Sequence, residues 1–167
     1  VAGEFPDYLE FYNDGDVPYD LSWSQLSDSQ DEPDRFVFPP GTVLEPGAFL
    51  LVYADGREAM PGLHAGFRLG RKGGGVFLRE PRSDGGALID SIEYGRQASD
   101  FSIGRTESGA WSLGHSTPMA QNQNVTLAGN DALRINEWLA SPLEDENDFV
   151  EVHNGSPHPV DLSGLAL

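Results

Sequence analysis

The sequence predicts an all-β chain, a sandwich or a barrel, on three observations. Glycine (20) and proline (12) punctuate it, at intervals of roughly 8 to 12 residues, the spacing of short strands and their turns. The runs between them are rich in β-branched and aromatic residues. No stretch of convincing length repeats its apolar residues at the helical period.

The strands are read off by alternation, in order. Tyr8 to Tyr12 comes first, with Tyr8, Phe11 and Tyr12 as its bulky members. The turn Asn13-Asp14-Gly15-Asp16 follows, made of residues that tolerate left-handed backbone. Asp20 to Leu26 is the next strand, then a polar loop from Ser27 to Asp34. Arg35 to Phe38 stops at Pro39-Pro40-Gly41. Ala48 to Tyr53 is apolar throughout, which predicts a central strand buried on both faces. Phe67 to Leu69 and Gly75 to Arg79 flank Gly70-Arg71-Lys72-Gly73-Gly74, read as a hairpin loop. Phosphate cradles need a strand, a loop and a helix, and no helix follows. Ala87 to Tyr94 alternates, and Phe101 to Gly104 and Ala110 to Leu113 close the unit. Thr117 to Asn124 is polar and reads as a linker. Leu50, Val52, Leu78, Ile92 and Trp111 are the expected core.

A second apolar unit opens at Leu133 to Leu139 and continues through Phe149-Val150-Glu151-Val152 to Leu167. It repeats the first. Asp7 to Leu26 aligns without gaps on Asp148 to Leu167, an offset of 141 (148 − 7). Eight of the twenty pairs are identical: Asp7/Asp148, Glu10/Glu151, Asn13/Asn154, Pro18/Pro159, Asp20/Asp161, Leu21/Leu162, Ser22/Ser163 and Leu26/Leu167. Chance would give one or two. The second copy carries a strand before the shared segment, whereas the first has only Val1 to Pro6 there.

Composition bounds the function. The net charge of −17 would repel phosphate backbones, which argues against nucleic acid as a partner. A single lysine, Lys72, stands against nine arginines, a balance that suits salty or extracellular settings. The chain has no cysteine, so disulfides, thiolate metal sites and cysteine nucleophiles are excluded. No apolar run of about 18 residues exists to cross a bilayer as a helix. Val1 starts inside folded-looking sequence with no basic region before an apolar one, which reads as a fragment or a processed product.

The ordered motifs resemble the lamin tail domain. Its opening strand is matched by Ile135-Asn136-Glu137-Trp138-Leu139-Ala140-Ser141. Its next strand is matched twice, by Leu9-Glu10-Phe11-Tyr12-Asn13 and by Val150-Glu151-Val152-His153-Asn154. A third motif appears as Asp20-Leu21-Ser22-Trp23-Ser24-Gln25-Leu26-Ser27-Asp28 and as Asp161-Leu162-Ser163-Gly164. Phe38 to Thr42, Phe49 to Tyr53, Asp90 to Gly95, Ser102 to Arg105 and Thr117-Pro118 continue the order. No single motif is specific, but their sequence over more than 110 residues is. The resemblance implies an immunoglobulin-like β-sandwich without catalytic residues, repeated or attached to hydrolases in secreted bacterial proteins. Trp23 stands where the family usually has glycine, which predicts a different local backbone in the first copy.

The side chains offer little chemistry. His64, His115, His153 and His158 have no metal-ligand spacing, and no G-x-S-x-G elbow is present. The acidic loops are the remaining candidates: Asp28, Asp31 and Asp34, and Glu144, Asp145 and Glu146, which could take calcium. No calcium loop of the D-x-D-x-D-G type with its closing glutamate accompanies them. Asn124-Val125-Thr126 and Asn154-Gly155-Ser156 match the N-glycosylation triplet.

The expectation is therefore a non-enzymatic module: residues 1–123 as a sandwich lacking its first strand, 124–131 as a linker, and 132–167 as the start of a second copy or a donated segment. It is expected outside the cell or at its surface, contacting a protein partner or like subunits, with no membrane insertion and no cofactor beyond the calcium candidates. Ile135, Trp138, Leu139, Phe149 and Val150 are the assembly candidates, because they are too apolar to leave exposed.

Overall fold

A computed structural model describes residues 6–57, 60–141 and 147–162, and the all-β expectation is met. Among these residues thirteen strands follow one another, and the helix is two single 3-10 turns, Arg82–Asp84 and Asn130–Ala132. No helix among them is long and apolar enough to cross a membrane. The chain divides into two compact units, Val1–Ser102 with Ser116–Asn122, and Ile103–His115 with Gln123–Leu167.

In the first unit β1 (Tyr8–Tyr12) lies antiparallel to β6 (Phe49–Tyr53), and β2 (Tyr19–Asp20) to β5 (Val43–Leu44). A four-stranded sheet runs β4 (Phe36–Val37), β3 (Gln25–Ser27), β7 (Gly74–Arg79), β8 (Leu88–Tyr94). Between these layers sit Leu26, Phe38 and Val52, each at 0 % exposure, with Leu21, Phe67 and Leu78 around them. Phe38 meets Phe11 and Phe36 edge to face, at centroid distances of 5.6 and 5.1 Å. Leu9, Phe11 and Leu50 pack on this core from β1 and β6.

The expected strand from Asp20 to Leu26 is broken. The Asp20 carboxylate accepts the Ser22 N–H (2.9 Å), and the Ser22 hydroxyl accepts the Gly41 N–H (2.8 Å). That turn drives Leu21 into the core and separates β2 from β3. A run of alternating residues cannot reveal such a break, because the competing hydrogen bonds come from Asp and Ser side chains.

β6 is not buried on both faces. Val52 is fully buried, but Phe49, Leu50, Leu51 and Tyr53 are half-exposed. Beyond β1 its neighbour is the segment Leu63 to Ala65, joined only at the strand's end: Tyr53 N–H donates to Leu63 O, and Ala65 N–H to Tyr53 O, both 2.8 Å. Phe67 to Leu69 forms no strand beyond a single bridge, Asp55 to Arg68. The loop before β7 is therefore a tight turn, with Gly73 N–H donating to Gly70 O (3.1 Å), and not the expected hairpin loop, because β7 pairs with β3 and β8. Gly73 has φ +125°, and a Cβ there would lie 2.8 Å from the Tyr94 carbonyl oxygen, so only glycine fits.

β9 (Phe101–Arg105), β10 (Trp111–His115) and β11 (Gln123–Asn124) form one sheet, and in the second unit β12 (Leu133–Leu139) pairs with β13 (Phe149–Asn154). The residues expected as a linker carry structure: Val125 N–H donates to Leu113 O (3.0 Å) and Ala128 N–H to Pro159 O (2.8 Å). Trp111 is not core. It is 43 % exposed, and the Arg105 guanidinium lies over its ring, 4.2 Å from the centroid.

Candidate functional site

The candidate site is the β12–β13 ribbon, together with its sequence counterpart β1. Ile135 and Trp138 lie three residues apart, so strict alternation would put them on opposite faces. The register shifts between Ile135 and Glu137, leaving Asn136 as the extra residue of a bulge. Ile135 then opposes Val152 and Trp138 opposes Val150, all on one face. That face is open: Ile135 is 65 % and Trp138 70 % exposed. Leu139 and Phe149 pair on the other face. The structure thus brings the five assembly candidates onto one ribbon but divides them between its faces. Val152, missed in the sequence reading, completes the apolar face; the broken alternation between Ile135 and Trp138 was its signal.

Asn136 donates from its side chain to the Glu151 carboxylate across the ribbon. In the first unit Glu10 holds the equivalent position, and its carboxylate accepts the backbone N–H of Met119. Burial pushes the Glu10 carboxyl up from its ordinary value, and the Met119 N–H only partly offsets this. Tyr8 meets Ser116 through its hydroxyl (2.8 Å), so Ser116 to Met119 runs along the outer face of β1.

Trp23 has φ +64°, the left-handed backbone natural to glycine. The expected change of local backbone is therefore absent, and the tryptophan adopts what glycine would. Its side chain is 57 % exposed, beside Val37, Pro81 and Arg82 at a shallow groove of about 340 Å³. His64 stacks on Tyr53 (4.9 Å) and its Nδ1 lies 3.0 Å from Asp55. For the Asp55 carboxyl, burial acts upward, but His64 and the Arg57 N–H outweigh it and hold the group below its ordinary value.

The calcium candidates do not converge. Asp28 is bound to Arg35 at 2.6 Å, and Asp31 and Asp34 are exposed on the loop between. Glu144, Asp145 and Glu146 lie outside the described residues. Among the described residues no three histidines or carboxylates come together as a metal would need.

Among known proteins, the model of the lamin tail domain family matches residues 2–96. No curated protein and no solved structure matches the chain. The match spans more than half of the 167 residues and covers β1 to β8, the strands that enclose the core. The chain belongs to the lamin tail domain family, a family of immunoglobulin-like β-sandwich modules.

Proposed function

We propose that the chain is a non-catalytic binding and structural module of a larger bacterial protein, working outside the cell or at its surface. The observation that carries this is the family match over the strands that enclose the core of the first unit. Small-molecule chemistry needs a concavity with converging polar groups, and the groove beside Trp23 is shallow. The acidic, lysine-poor composition supports the extracellular setting. Residues 132–162 are read as the opening of a second domain of the same family. Val150 and Val152 are the counterparts of Leu9 and Phe11, which face the core of the first unit. Fractionation of cells making the whole gene product tests the setting: the protein is expected in the medium or at the surface, and retention in the cytoplasm contradicts it.

A second reading is self-assembly by strand exchange through residues 132–167. It is favoured by the exposure of the ribbon face, which like subunits would cover. Sedimentation velocity over a concentration series tests it. Reversible association that Trp138→Ser weakens is expected, and a monomer at every concentration contradicts it.

A further inference from the structure

Trp23 holds its left-handed backbone, φ +64°, with the side chain largely in solvent. Backbone strain of that kind collects where a side chain is put to use, and an exposed indole adds little to the core. In β3 Leu26 faces the core, so Gln25 faces the other side of the sheet. There it lies opposite Val37 of β4 and Arg79 of β7. Gln25 and Val37, with Trp23, Asp34, Pro81 and Arg82, line the groove of about 340 Å³. All six belong to the first unit. Gln25 is 5 % exposed, and its side-chain amide makes no hydrogen bond among the described residues. An amide offers both donors and an acceptor, and leaving them unmet in a buried side chain is costly. Across the ladder, Arg79 Nε is also buried without a partner. This face of the sheet therefore has hydrogen-bonding capacity that the fold leaves unused.

The groups around the groove select its ligand. A cation would meet the Arg82 guanidinium and an anion the Asp34 carboxylate, so the pair favours a neutral molecule. A wholly apolar ligand would seal the Gln25 amide away from water unpaired. What satisfies all of them is a neutral molecule with an apolar face and a hydroxylated edge. A sugar ring is built that way. Its C–H face stacks on the negative face of an aromatic ring, and its hydroxyls both donate and accept, to a carboxylate, a guanidinium or an amide. A shallow groove cannot enclose a reacting molecule, but it fits a sugar chain that keeps most of its hydroxyls in water. We propose that the groove beside Trp23 binds a neutral saccharide, with one ring stacked on the indole and hydroxyls bonded to Gln25, Asp34 and Arg82. The proposal rests on the binding reading above and adds a site and a ligand class to it.

The chain has three tryptophans, so the isotope-labelled protein gives three indole N–H signals in solution NMR. The signal lost in Trp23→Gly is that of Trp23. The protein is titrated with short neutral oligomers of glucose, of galactose and of mannose. At least one oligomer should shift the Trp23 indole and Gln25 amide signals saturably, and leave those of Trp111 and Trp138 in place. Followed at the Gln25 amide, the affinity should fall about tenfold in Trp23→Gly, with no fall in melting temperature. Gln25→Met, similar in length but without the amide, should bind about tenfold more weakly, followed at the Trp23 indole. If that variant does not fold, Trp23→Gly decides alone. No shift with any of the three oligomers overturns the proposal, and so does unchanged affinity in a folded Trp23→Gly. A proline-rich peptide is the control. If it shifts the same signals and the sugars do not, the saccharide is overturned and the binding reading stands. Silence toward both removes the groove from that reading.

Discussion

Asn13 and Asn154 stand 141 residues apart and hold the same turn. Asn13 Nδ2 donates to Val17 O (2.9 Å) and its Oδ1 accepts the Gly15 N–H (3.0 Å). Asn154 Nδ2 donates to His158 O (2.8 Å) and its Oδ1 accepts the Ser156 N–H (2.9 Å). Asn13 Nδ2 also donates to Leu44 O at 2.8 Å, which ties the turn to β5. Asn13→Ala is therefore expected to cost about 1–3 kcal/mol, the range for stranding hydrogen-bonded groups. Asn154→Ala should cost less. Urea unfolding of the two variants checks the order.

Trp23 holds a left-handed backbone at φ +64° with its side chain largely in solvent. Such a conformation costs an L-residue roughly 1–2 kcal/mol. Trp23→Gly is expected to raise the unfolding free energy by up to about 1 kcal/mol, since glycine is also looser when unfolded. Trp23→Val, branched at Cβ, should lower it. A melting temperature that drops for glycine would show that the indole supports the fold.

Leu26 is fully buried and faces Leu78 across the sheet. Leu26→Ala should cost about 2–5 kcal/mol. Leu50, half-exposed on β6, should cost less. Equal losses in chemical denaturation would contradict this placement of the core.

Two carboxylates give opposite pH dependence. Asp55 has a lowered pKa in the fold, so it adds stability above its ordinary value of 3.8 that is lost as pH falls through the lower folded value. Asp55→Asn should destabilise at pH 7 and flatten the acid limb. Glu10 has a raised pKa, so its contribution is full below 4.5 and lost as pH rises through the folded value. Glu10→Gln should remove that decline and still accept the Met119 N–H. Melting temperatures across pH 2 to 7 decide both.

Much of the fold was legible, because β1, β7, β8 and β12 advertise themselves by short-range pattern. Their partners are non-local, and this is where the reading failed. Alternation in Asp20 to Leu26 could not show that Asp20 and Ser22 side chains would capture the backbone. An apolar run in β6 could not show that only Val52 would be enclosed. Trp111 looks like core by residue type, but a guanidinium covers it in place of a second sheet. At the candidate site, the sequence located β12 and β13 and the equivalence of Glu10 with Glu151. It could not show which edge each strand uses, because N–H groups alternate between edges whatever the side chains are.

That difference in edges is measured most directly by amide hydrogen exchange, residue by residue, at low and high protein concentration. At either concentration the Leu9 and Phe11 amides should be protected by β6, and the His153 amide by β12. Free exchange at His153, with protection at Val152 in its place, would contradict the account.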